Sequence, residues 1–243
     1  MYEDFSYIYD KLSFDLDYKG YANNILELVE NYNIKKENML ELAAGSGMLT
    51  NYFFDEFKNI DALDISPDML NVFAKKYDND NINLIYYDMV EFENPGKYDL
   101  IVILLDSINY VTDPKELKKL FANCYKNLKE DGLLVFDINS EYKMTEIFGS
   151  NCYVYEYEDI FYTWDNFYED DLVDMHLNFF VENEDGSYKR IYEYQQERVY
   201  KTSEVKNMVE QAGFKDIKTY DEDDFDDVRD DSQRILFSAV KGK

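Results

Sequence analysis

The chain has 243 residues, 46% of them hydrophobic and 17% aromatic. That is enough to bury a core, so wholesale disorder is excluded, and one large domain or one domain with a sizeable insertion is expected. Its 52 acidic and 25 basic residues leave a formal charge of −27, which argues against nucleic acid or an anionic membrane as partner and suits cationic or amine ligands.

Two cysteines, Cys124 and Cys152, cannot build a disulfide framework, and one histidine with no Cys-x-x-Cys offers little to a metal, so none is expected. The start, Met1-Tyr2-Glu3-Asp4-Phe5, has no basic region followed by an apolar run, and no stretch reaches the roughly 20 apolar residues of a bilayer span. The expectation is a cytoplasmic protein, monomeric or homodimeric.

Residues 1–20 are acidic and aromatic, with Tyr2, Phe5, Tyr7, Tyr9, Phe14 and Tyr18. Apolar spacings of three and four at Ile25, Leu28, Val29 and Tyr32 predict a helix over 21–32. A strand follows over 38–43, a turn at 44–47, a helix over 48–57 and a second strand over 59–65. Ser66-Pro67-Asp68 opens a helix, with a capping hydroxyl and a proline at the first position. Strands at 82–87 and 98–105, a helix from Asp113-Pro114 to about 128 and a fifth strand over 133–138 complete the series. Five alternations of short apolar strands with helices mean a parallel sheet covered on both faces.

After about residue 150 the period becomes two. Segments 153–164, 171–182 and 188–201 read as long antiparallel strands, with a hairpin at 183–186. In the second, Leu172, Asp174, His176, Asn178, Phe180 and Glu182 share one face, while Val173, Met175, Leu177, Phe179 and Val181 share an apolar one that should be buried. Thr202-Ser203 is expected to cap a helix ending at Gly213, and strands follow at 215–220 and 234–240. Between them, eight acids in the eleven residues 221–231 read as a solvated loop.

Glu41-Leu42-Ala43-Ala44-Gly45-Ser46-Gly47 lies between the first strand and the next element, where glycines let backbone approach a ligand. Asp64 ends the second strand nineteen residues after Gly45, placed to accept hydrogen bonds from two ribose hydroxyls. Asp88, after the third strand, is placed to accept from an adenine amino group. NAD and S-adenosylmethionine both fit such a pattern. Thr50 stands where a dinucleotide fold has its third glycine, which disfavours a pyrophosphate, and an acid-rich pocket favours a sulfonium and an ammonium.

These motifs, in register with Leu63–Leu70, Tyr87–Met89 and Asp99–Asp106, resemble the class I S-adenosylmethionine-dependent methyltransferases. Phe5–Leu12, Asp106–Tyr110 and Arg198–Tyr200 are similar to small bacterial methyltransferases with an antiparallel insert, related to the amino-sugar N,N-dimethyltransferases. The resemblance implies an α/β, Rossmann-like fold: a seven-stranded, mostly parallel sheet with helices on both faces and an antiparallel β insert. It implies a binding domain of residues 1–150 and 201–243, and a substrate lid over 151–200. It also implies S-adenosyl-L-methionine contacts from Tyr9, Tyr18, Glu41, Ala43, Gly45, Gly47, Asp64, Ile65, Met69, Asp88, Met89, Leu105 and Asp106.

Ala43-Ala44 departs from the family's first glycine, and Gln195 and Gln196 stand where related chains often carry a histidine. For catalysis the candidates are Tyr9 and His176, the one imidazole. For the substrate they are Tyr110, Trp164 and Arg198, the last as a clamp for carboxylate or phosphate. The expected reaction is methyl transfer to a small-molecule acceptor, nitrogen ahead of oxygen. The alternatives are methylation of ribosomal RNA or protein, a non-catalytic adenosylmethionine-binding partner protein, and an NAD oxidoreductase.

Overall fold

The computed structural model describes residues 8–12, 16–222 and 225–242. The expectations resting on Tyr2, Phe5, Tyr7, Phe14, Asp223 and Asp224 lie outside them. In chain order, a helical segment at 8–12 precedes α1 (Tyr18–Asn31), β1 (Asn38–Leu42), β2 (Asn59–Asp64), α2 (Pro67–Lys76), β3 (Ile82–Tyr86), β4 (Tyr98–Ile103), α3 (Pro114–Asn127) and β5 (Leu128–Asn139). Then come β6 (Cys152–Tyr157), β7 (Ile160–Glu169), β8 (Leu172–Glu182), β9 (Tyr188–Arg198), α4 (Thr202–Ala212), β10 (Lys215–Asp221) and β11 (Arg234–Val240).

Seven strands form one sheet in the order β10-β11-β5-β4-β1-β2-β3. The pairs β1–β2, β1–β4, β2–β3 and β4–β5 are parallel, and β11 runs antiparallel to both β5 and β10. The chain leaves β1 toward β2 and β3, then returns to β4 on the other side of β1. That reversal opens a crevice at the carboxyl edge of the strands, the usual ligand position in such sheets.

Alternation along the strands builds two cores. Leu40, Ile101, Ile103, Leu134, Phe136 and Phe237 face α3 and α4, where Leu117, Leu120, Phe121, Val205 and Val209 cover them. Met39, Ile60, Leu100, Val102 and Val135 face α1, meeting Ala22, Ile25, Leu28 and Val29. Side chains buried this completely contribute roughly 1.5–3 kcal/mol each. Ser66 and Asp113 cap α2 and α3 through the amides of Met69 and Lys115. No helix among the described residues is long and apolar enough to cross a membrane.

The second sheet, β6-β7-β8-β9, is antiparallel throughout. Val173, Met175, Leu177 and Phe179 are buried on one face of β8 with Ile8, Met144, Phe148, Ile160 and Ile191, as the period of two predicts.

Three local expectations change. The helix over 48–57 is a single 3₁₀ turn, Thr50–Phe53, because the Asn51 amide bonds the Met48 carbonyl and competes with the helical ladder. The strand over 153–164 is the end of one strand and the start of another, reversed at Glu158-Asp159, where Glu158 takes φ +52°. Residue Lys201, without a side-chain capping bond, holds the cap position of α4 in place of Thr202 and Ser203.

Candidate active site

The crevice at the β1/β4 reversal opens into a cavity of about 840 Å³, bounded by the carboxyl ends of β1, β2 and β4, the loops after β3 and β4, and the inner face of β7–β9. That lies in the upper part of the roughly 300–1,000 Å³ range of ligand sites. A smaller hollow of about 60 Å³ adjoins the β1 turn, lined by Tyr9, Tyr18, Glu41, Ala43, Gly45 and Leu105 among others.

The β1 turn is tight. Ala43 and Gly45 take φ +59° and +56°, a left-handed conformation costing an alanine roughly 1–2 kcal/mol. Ala43 therefore stands strained in a conformation that favours glycine. A Cβ on Gly45 would stand in open space, whereas one on Gly47 would meet the Phe73 ring at 2.7 Å. Gly45 thus borders the cavity, and Gly47, which lines neither hollow, serves helix packing.

Asp64 fastens this turn to the next. One carboxylate oxygen accepts from the Gly45 amide at 2.8 Å and the other from the Ser66 amide at 2.7 Å. Burial raises its carboxyl above the ordinary value, and the amide bonds work against that rise. Each oxygen keeps a lone pair for a ligand hydroxyl. Ile65 beside it is 63% exposed at the cavity rim, a bare apolar side chain suited to covering a flat base. Asp88 accepts from the Val90 amide at 2.8 Å and lines the cavity with Met69 and Met89. Glu41 is buried, its Oε2 has no hydrogen-bond partner, and burial with repulsion from Asp64 pushes its carboxyl up to about 8. A ligand ammonium would satisfy that oxygen.

At the end of β4, Leu105 and Asp106 both take left-handed φ, +56° and +58°. Buried Asp137 holds them there, accepting from their amides at 2.9 and 2.7 Å. Its carboxyl is raised to about 6 by burial. The turn aims Asp106 into the cavity, with Oδ1 accepting from Arg234 at 2.9 Å and Oδ2 from Asn139 at 3.1 Å. The same Asn139 amide donates to Glu197 at 3.0 Å. Burial and neighbouring Asp106 push the Glu197 carboxyl well up. Tyr110 donates to Gln195 at 2.9 Å. Tyr9 lies among these groups, its phenol raised by burial and by Tyr18 and Asp106.

The cavity and its small annex thus collect Tyr9, Tyr18, Glu41, Ala43, Gly45, Asp64, Ile65, Met69, Asp88, Met89, Leu105, Asp106, Tyr110 and Trp164. Three expected residues are not brought there: Gly47, which packs toward the Phe73 ring, His176 and Arg198. His176 follows Met175 and precedes Leu177, both cavity-lining, so the alternation of β8 turns it outward, where Nδ1 meets the Tyr192 hydroxyl at 2.6 Å. Arg198, at the end of β9, lies 3.7 Å from Asp171 and lines neither hollow. Glu193, Glu197, Asp137 and Phe148 went unnoticed. The sequence signal for Asp137 was an acid inside the apolar run Leu133–Ile138. For the two glutamates it was their shared period-two face on β9.

The cavity thus joins a strained turn and paired acids at the strand ends to an aromatic chamber. A methyltransferase-domain family pattern matches residues 39–132. A chain of Geobacillus sp. bearing a methyltransferase name is 30% identical over 99% of both chains. The crystal structure of an S-adenosylmethionine-dependent methyltransferase from Clostridium acetobutylicum superposes with a TM-score of 0.91 at 35% identity, covering 100% of this chain and 99% of that one. A dTDP-3-amino-3,4,6-trideoxy-α-D-glucopyranose N,N-dimethyltransferase of Streptomyces venezuelae is 29% identical over 56% of this chain and 58% of its own. The chain belongs to the class I S-adenosylmethionine-dependent methyltransferases.

Proposed function

We propose that this enzyme methylates a small-molecule acceptor, nitrogen ahead of oxygen, with the antiparallel sheet of 151–200 as the lid over it. The observation that carries this reading is the continuation of the cavity past Asp106 to the inner face of β7–β9. A binding module would need no chamber beside the nucleoside.

Adenosylmethionine supplies an electrophilic methyl group on a sulfonium. Asp64 would accept from the ribose hydroxyls, Asp88 and the Met89 amide would meet the adenine edge, and Ile65 and Met69 would flank the ring. Glu41 and Tyr18 would hold the amino-acid end, and the Gly45 backbone would pass beneath. Tyr9, Leu105 and Asp106 lie between the two halves and would align acceptor with donor. Methyl transfer to a neutral lone pair needs little covalent help, so alignment and exclusion of water carry most of the rate.

Calorimetry with adenosylmethionine, adenosylhomocysteine and NAD, followed by a labelled-methyl screen over amines, sugars, acids, ribosomal RNA and protein, tests the reading. Adenosyl binding with label transferred to a small amine is expected. Label appearing only on RNA or protein would contradict it.

A further inference from the structure

We infer that the acceptor is a phosphate-free amine entering as its ammonium, held by Glu193 and Glu197 against the aromatic wall of Trp164 and Phe148. This rests on the methyltransferase reading above and narrows its substrate class.

Charge is the first argument. Seven carboxylates line the cavity, those of Asp64, Asp88, Asp106, Asp113, Glu116, Glu193 and Glu197, and among the described residues no lysine, arginine or histidine does. The nearby cations are engaged. Arg234 contacts Asp106 at 2.9 Å and Glu222 at 3.3 Å, with Asp137 at 3.7 Å. Lys143 donates to the Asn139 side chain at 3.0 Å and stands 5.2 Å from the Phe148 ring centroid. The polar cluster at this end of the cavity thus sets four acidic side chains, Asp106, Asp137, Glu197 and Glu222, beside two basic ones. A phosphate or carboxylate on the acceptor would meet like charge without a counter-ion, and an ammonium would meet what the cluster lacks.

Register is the second. Trp164 on β7 pairs with Leu177 on β8, which pairs with Glu193 on β9, and Val173 pairs with Glu197. The face therefore grades from aromatic to acidic within three strands. Phe148 and Trp164 lie 5.0 Å apart between ring centroids, and such a wall attracts a cation over its rings. Trp164 Nε1 is buried with no hydrogen-bond partner, a donor that a polar atom of the acceptor would satisfy.

Glu197 has the further property of receiving the proton. One N–H bond of the ammonium breaks, the proton goes to a Glu197 carboxylate oxygen, and the electron pair stays on nitrogen for methylation. Burial beside Asp106 raises this carboxyl, which favours its taking up the proton.

The test uses Trp164 fluorescence, since it is the one tryptophan in the chain, with the full-length protein saturated with adenosylhomocysteine. Phenethylamine, phenethyl alcohol, phenylpropionate and phenethyl phosphate are titrated as matched probes. The amine should bind at least about tenfold tighter than the alcohol, the scale of a charge-assisted hydrogen bond, and the two anions weaker than either. Glu193→Gln and Glu197→Gln should each lower amine affinity about tenfold, leaving the alcohol and adenosylhomocysteine unchanged. Anion binding as good as amine binding, no amine preference, or unchanged amine affinity in both variants would overturn the inference. Calorimetry on the same samples separates the two levels. Adenosylhomocysteine binding without amine preference removes only this inference, whereas no adenosylhomocysteine binding removes the site reading beneath it.

Discussion

The β1–β4 edge and the β7–β9 face bound the same cavity by different means. At the edge, strained turns expose backbone, and acids at strand ends lock those turns in place, as Asp64 does for Gly45 and Ser66 and Asp137 for Leu105 and Asp106. On the β7–β9 face, no turn is involved, and chemistry comes from alternate side chains aligned across three strands. A cofactor with fixed polar groups suits the first construction, and an acceptor that differs between relatives suits the second, where one substitution changes the wall without moving the sheet.

The contrast is broken most severely at Asp64. Replacement by alanine should cost at least about 100-fold in adenosylmethionine affinity, close to 2.7 kcal/mol. It should also lower the melting temperature, because the Gly45 and Ser66 amides lose their acceptor at about 1–3 kcal/mol each. Calorimetry and circular dichroism check both, and wild-type affinity would remove Asp64 from the ribose role. Tyr9→Phe, between the two regions, should lower turnover about tenfold while adenosylmethionine affinity stays within about threefold. Unchanged turnover would leave Tyr9 as packing.

Glu41 sharpens the first region through pH. Its folded value of about 8 exceeds the ordinary 4.5, so between those values the folded chain keeps a proton that the unfolded chain releases. Stability contributed by the neutral carboxyl is present below about pH 4.5 and lost as pH rises toward 8, on a scale of about 1.4 kcal/mol per pKa unit. Glu41→Gln should therefore gain stability over wild type progressively from about pH 5 to about pH 8 in denaturant titrations. A difference that stays constant would show that Glu41 ionises normally. The smallest effect is expected at His176. Its alanine variant should keep turnover within about twofold, because the ring faces away from the cavity. A large loss would mean the outer face takes part.

The β1–β2 edge of the sheet was legible because its signals are local: Glu41–Gly47, then Asp64 ending β2 and Asp88 two residues past β3. The same locality made the five β/α alternations readable. What escaped depended on partners distant in sequence. Glu158-Asp159 reverses the chain without glycine, and Asn51 unwinds a helix through one side-chain bond. Glu193 and Glu197 became site candidates only when β9 was paired with β8. His176 drew attention for its chemistry, although alternation along β8 already set it opposite the apolar face, and Arg198 for its charge, which is turned toward Asp171.

A crystal structure with adenosylhomocysteine bound decides most directly where the nucleoside lies. Both ribose hydroxyls should stand about 2.5–3.0 Å from the Asp64 carboxylate, with the adenine beside Asp88 and the sulfur facing the chamber of Trp164, Glu193 and Glu197. Adenosylhomocysteine seated away from Asp64, or with its sulfur turned from that chamber, would contradict it.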